Sequence, residues 1–138
     1  MRKILLSGIV AGITIVIGEG ILNGALLKEQ WDLVNSQLSL QPPSDLIVTL
    51  ALAKLFILGF VLMWLYELFI YKYGAGFKSA VASGLTIAFL IWGWVLAGML
   101  MAGYINTQIG IITFFWGLIE LPLAAVLGSK LYDRLARI

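Results

Sequence analysis

The chain has 138 residues, 62% hydrophobic and 12% charged, with a formal net charge of +2 and a mean hydropathy of +1.03. Soluble domains carry about 25% charged residues and at this length leave much of their surface in water, so the composition is that of an integral membrane protein with room for about four spans. The lack of Cys and His excludes disulfides, thiolate nucleophiles, Cys/His zinc, Fe–S clusters, His- or Cys-held haem and the usual base of serine or cysteine nucleophiles.

In chain order the apolar stretches are about 4–27, 46–71, 80–104 and 109–128. Each is long enough to cross about 30 Å of hydrocarbon as a helix. Only helices and closed barrels satisfy the backbone in lipid, and these stretches lack the alternation of barrel strands. Helices are predicted. Met1-Arg2-Lys3 ahead of an apolar run resembles a signal-peptide start, but no A-x-A-like site follows, so this segment is expected to remain as the first span.

The connections set the architecture. In the first, Trp31-Asp32-Leu33-Val34-Asn35-Ser36-Gln37-Leu38 predicts a short amphipathic helix lying in the interface, with Trp31 as its anchor. Pro42-Pro43-Ser44-Asp45 ends that element and offers an N-cap for the second span. Gly74-Ala75-Gly76 reads as a tight turn, and Ile105-Asn106-Thr107-Gln108 is a shorter link. Short links make sequential spans antiparallel, so the expected fold is all-α, a single transmembrane domain over 1–138 forming an up-down four-helix bundle.

Lys and Arg counting gives the orientation. Arg2, Lys3, Lys72, Lys78, Lys130, Arg134 and Arg137 fall on the N-terminal side, against Lys28 alone on the other. Both termini are therefore expected in the cytoplasm. The small net charge, spread along membrane borders, excludes nucleic acid as a partner.

Four ionisable residues lie inside spans, where each costs about 2.5–3.5 kcal/mol at mid-helix. Gly8, Gly12, Glu19 and Asn23 share one helical face, two small residues for close approach and two polar ones for bonding across it. Glu19 and Lys54 both lie roughly 12 Å below the far ends of their spans at 1.5 Å per residue. A buried Glu19–Lys54 ion pair with Asn23 as third partner is expected. The alternative is that Lys54 snorkels along its own stem.

Glu67, near Tyr66, Tyr71 and Lys72, is expected to pair at the cytoplasmic interface with Arg2, Lys3 or Lys78. Glu120 sits mid-span before Pro122, and Thr113, Trp116, Gly117, Glu120 and Ala124 share its face. Pro122 frees the carbonyl of Leu118. With no base at its depth, Glu120 reads either as a protonated carboxyl donating to a carbonyl of a neighbouring helix or as a proton-relay or cation site. The third span is uncharged, with Gly84, Ala88, Gly98 and Ala102 as a small-residue packing face and Trp92 and Trp94 at mid-span.

Ala11-Gly12, Ile21-Leu22-Asn23-Gly24-Ala25-Leu26-Leu27, Trp64-Leu65-Tyr66, Tyr73-Gly74-Ala75-Gly76-Phe77-Lys78-Ser79-Ala80 and Trp116-Gly117-Leu118-Ile119-Glu120, with residues 128–132, resemble an uncharacterised family of small four-helix bacterial integral membrane proteins. The resemblance implies a bacterial inner-membrane location and transfers no catalytic residue. Small multidrug transporters are similar in having four helices and a membrane-embedded Glu in the first. This chain departs from them in its long first connection and its three further intramembrane charges.

No nucleophile–base set, paired-carboxylate motif or metal cluster is present, so no enzyme, cofactor or metal is expected. The expected role is an accessory or structural subunit of a larger membrane complex, partnered by the lipid bilayer and by other membrane subunits or further copies. The alternative is a proton- or cation-coupled small transporter working as an oligomer through Glu120 and the Glu19–Lys54 pair. Water access at Glu120 discriminates them: coupled flux needs a hydrated carboxylate, whereas a subunit needs it capped by protein.

Overall fold

The structure, a computed structural model, describes residues 1–137 and is all-helical among them. Helix α1 (Arg2–Ile21) runs on through a π-helical turn, Leu22–Leu26, and α2 (Lys28–Gln37) forms the predicted short helix of the first connection. Then come α3 (Asp45–Tyr73), α4 (Phe77–Ile87), a second π-helical turn (Ala88–Gly93), α5 (Trp94–Met101) and α6 (Thr107–Ala136). The runs Arg2–Leu26, Asp45–Tyr73, Phe77–Met101 and Thr107–Ala136 are each long and apolar enough to cross a membrane.

The element ends follow local chemistry. Asn106 caps α6, its Oδ1 accepting from the N–H of Ile109 at 2.8 Å. Ser44 caps α3 through the N–H of Ile47 at 3.5 Å, a longer and weaker contact. Gly74 terminates α3 at φ 78° and Gly103 follows α5 at φ 75°, both in the left-handed region that only glycine enters without strain. The fourth helix outruns the expected end at 128. Its apolar run stops there, but the backbone ladder does not, and Ser129 and Tyr132 remain buried.

Glycines bring the helices together. At the crossing of α1 and α3 a Cβ on Gly59 would lie 2.8 Å from Gly12 Cα, and one on Gly8 would lie 3.0 Å from Phe60 Cα. Gly84 lets α4 touch the backbone of α6 at Leu121 and Pro122, and α6 runs through Pro122 without a break. Helix α1 packs between α3 and α6, and α4 packs between the same two on the other side. Ala11, Ile15, Leu62, Met63, Leu121 and Ala125 fill the centre. A second cluster of Leu22, Leu27, Val34, Leu96, Ile105 and Ile109 seats α2 on the end of the bundle away from the termini.

Two expectations need correction. Gly84 and Ala88 pack as predicted, but Gly98 meets nothing within 4 Å and Ala102 is exposed. The π-helical turn between them adds a residue to the turn, which rotates the following face by about 100°. Helix α3 also does not stay in the bundle along its length. Every residue of 45–54, the first third of the helix, is exposed, so this stretch is not packed into the bundle.

Candidate functional site

Asn23 sits one turn beyond Glu19, where the helix enters its π-helical turn. Its Nδ2 donates to Glu19 Oε2 at 2.7 Å and to the Glu19 carbonyl at 3.1 Å. Its Oδ1 accepts from Trp31 Nε1 at 2.9 Å. Trp31 is thus not only an interface anchor. It ties α2 to the intramembrane carboxylate through Asn23.

Across from this relay lies Lys54. Glu19, Asn23 and Lys54 line one cavity of about 490 Å³ between α1 and the exposed first third of α3. Asn23 bonds Glu19 Oε2 as expected, while Glu19 Oε1 is buried with no hydrogen-bond partner among the described residues, so Lys54 faces the carboxylate across the cavity without bonding to that oxygen. Lys54 also borders a cavity of about 380 Å³ shared with Trp92 and Val95.

Glu120 projects from α6 onto α1 at Gly18, where an added Cβ would collide with its carboxylate. The side chain is 5% exposed. Neither carboxylate oxygen has a hydrogen-bond partner among the described residues, so the expected bond to a carbonyl of a neighbouring helix is not formed. Trp116, one turn earlier, approaches the carboxylate but its indole N–H completes no bond of acceptable geometry. Glu19 is near enough for the two carboxylates to repel one another.

The rest of that face behaves alike. Thr113, Gly117 and Ala124 are buried as predicted, and Trp92 fills the hollow left by Gly117. Thr113 Oγ1 and Trp92 Nε1 are buried without partners among the described residues. Unmet polar atoms are costly in a low-dielectric interior.

The end carrying the termini is organised differently. Glu67 does not pair with Arg2, Lys3 or Lys78; it accepts a short hydrogen bond from Tyr132. Tyr66 donates to Asp133 Oδ1 at 2.8 Å and accepts from the N–H of Gly76 at 2.9 Å. The two phenol rings meet edge to face at 5.4 Å, and Lys3 Nζ lies 5.7 Å from the Tyr132 ring centre. As hydrogen-bonding partners Tyr132 and Asp133 escaped the sequence reading, which named Tyr66 only as a neighbour of Glu67. The repeated Tyr-acid dipeptide, Tyr66-Glu67 and Tyr132-Asp133, was the signal available.

Among the described residues no cluster of three or more His, Cys, Asp or Glu could hold a metal ion. The chain has no significant match among known protein families, curated proteins or solved structures.

Proposed function

We propose that the chain is a small non-enzymatic integral membrane protein, an accessory subunit of a larger assembly in the bacterial cytoplasmic membrane, with both termini cytoplasmic. The observation that carries this reading is the exposed first third of α3, residues 45–54. Lipid covers its leucines and isoleucines as well as protein would, but offers nothing to the Lys54 ammonium at membrane depth. A partner helix with a carboxylate or free carbonyls opposite Lys54 would meet that need. Gly98 and Ala102, open on the third span, would let a second helix approach closely.

Isolation of the tagged protein at native expression in mild detergent, with sizing and mass spectrometry, tests the reading. A stoichiometric membrane partner should travel with it and be lost from Lys54→Leu. A lone monomer or homodimer would overturn it. Weight would then pass to a proton- or cation-coupled carrier working as an oligomer. That second reading is favoured by one observation: no protein group caps the Glu120 carboxylate, whose two oxygens lack a hydrogen-bond partner among the described residues.

A further inference from the structure

The outer side of the α1–α6 seam is apolar at mid-span and ends in cations. Ile17 on α1 and Ile119 and Leu123 on α6 border one apolar recess of about 280 Å³, exposed by 58%, 70% and 50%. From there to the end carrying the termini both helices keep the α period, so a face recurs about every seven residues, or two turns. On α1 that step leads from Ile17 through Val10 to Lys3. On α6 it leads from Leu123 to Lys130, and Arg134 lies one further turn along the same side. The helices stay close over this length, since a Cβ on Gly128 would lie 3.0 Å from the Ser7 carbonyl oxygen.

Three positive charges converge where the seam leaves the apolar stretch. Lys3 Nζ lies 5.7 Å from the ring centre of Tyr132, which sets it at the level of α6 between Lys130 and Arg134. Those two are one turn apart, with about 6 Å between their Cβ atoms, and both are exposed. The side-chain carboxylates at this end are engaged by phenols, Glu67 by Tyr132 and Asp133 by Tyr66. Topology asks only that cytoplasmic segments be basic. It does not ask that the basic residues continue a lipid-facing apolar stripe on two adjacent helices.

We infer that this seam binds an anionic phospholipid. The phosphodiester sits among Lys3, Lys130 and Arg134, where the guanidinium fork can give two N–H bonds to one phosphate. An acyl chain runs along Val10 and Leu127 to the recess at Ile17, Ile119 and Leu123. The head carries no ammonium of its own, because that would bring a fourth positive charge to the three already gathered. Phosphatidylglycerol has this chemistry and phosphatidylcholine does not. The inference does not depend on whether the chain is a subunit or a carrier.

The test uses the purified full chain, delipidated in non-ionic detergent and titrated with phosphatidylglycerol or phosphatidylcholine of matched acyl chains. Bound lipid is counted by native mass spectrometry. Detergent takes membrane orientation out of the readout, so removal of basic residues acts on binding alone. Phosphatidylglycerol should bind saturably and about tenfold or more tighter than phosphatidylcholine, as charge-assisted bonds to the phosphate imply. Lys130→Gln combined with Arg134→Gln should abolish that preference. Lys72→Gln combined with Lys78→Gln removes the same charge from the same end, around the α3–α4 turn, and should leave the preference intact. Equal loss in the two double variants would reduce the effect to diffuse attraction and overturn the seam as a site. Equal binding of the two lipids by the parent would overturn it as well, and so would displacement of phosphatidylglycerol by inorganic phosphate, which brings the charge without the chain.

Discussion

At Glu67 the carboxylate is met by a phenol. Tyr132 donates to Glu67 while Tyr66 donates to Asp133, so α3 and α6 exchange one hydrogen bond in each direction. Tyr66 does more than Tyr132, since its oxygen also accepts from Gly76 in the turn between α3 and α4. Hydrogen bonds to charged groups contribute about 1.5–3 kcal/mol. Tyr132→Phe keeps the ring contact and loses one such bond; Tyr66→Phe loses one and strands a backbone N–H as well. Thermal unfolding in detergent should rank Tyr66→Phe below Tyr132→Phe, and both below the parent, with the double variant less than additive because the two rings touch. Losses under about 0.5 kcal/mol for both, the scale of neutral surface changes, would mean that water replaces the clasp. Around Glu67 charge counting points to Arg2, Lys3 or Lys78, and only the repeated Tyr-acid dipeptide hinted at the clasp. Lys3 is indeed nearby, but over the Tyr132 ring.

At the scale of elements, span positions were legible because about 20 apolar residues leave a chain in lipid little choice but a helix. The α1 packing face was legible too, since Gly8 and Gly12 recur within an unbroken 3.6-residue period and meet α3. The third span defeated the same reasoning. About four turns at that period would bring Gly98 back beneath Gly84, but the π-helical turn at Ala88–Gly93 intervenes. Periodicity cannot foresee a change of period. The contrast is testable by unfolding midpoints. Gly84→Leu forces a side chain into the α6 backbone beside Pro122 and should cost about 1–3 kcal/mol or more through overpacking. Gly98→Leu enters open space and should lie within about 0.5 kcal/mol of the parent, or above it, since leucine is the better helix former. Equal damage from both would place the third span in its regular register. The matched depth of Glu19 and Lys54 was legible, since both line one cavity with Asn23; the exposure of α3 over 45–54 was not.

Taken as a whole the molecule has two unlike halves. The end carrying the termini is drawn tight by Gly8 and Gly12 on Gly59, by Gly128 against Met63, and by the tyrosine clasp. The other half holds the unpaired polar atoms of Glu19, Trp92 and Thr113, both π-helical turns and the free length of α3. The tight end also carries Arg2, Lys3, Lys72, Lys78, Lys130, Arg134 and Arg137, and the loose half only Lys28 and the intramembrane Lys54. Translocation disfavours short basic segments, so the tight end should face the cytoplasm and the loose half the outside, where a partner or ligand would reach it. Single cysteines can decide this without background, because the chain has none of its own. Ser36→Cys lies on exposed α2, and Ala75→Cys lies in the exposed turn between α3 and α4. A membrane-impermeant maleimide added to intact spheroplasts should label Ser36→Cys at once and Ala75→Cys only after permeabilisation. The reverse pattern would turn the molecule over. It would place the tyrosine clasp outside and open the Glu19 cavity towards the cytoplasm, so that any partner of the exposed α3 stretch would have to be sought on that side.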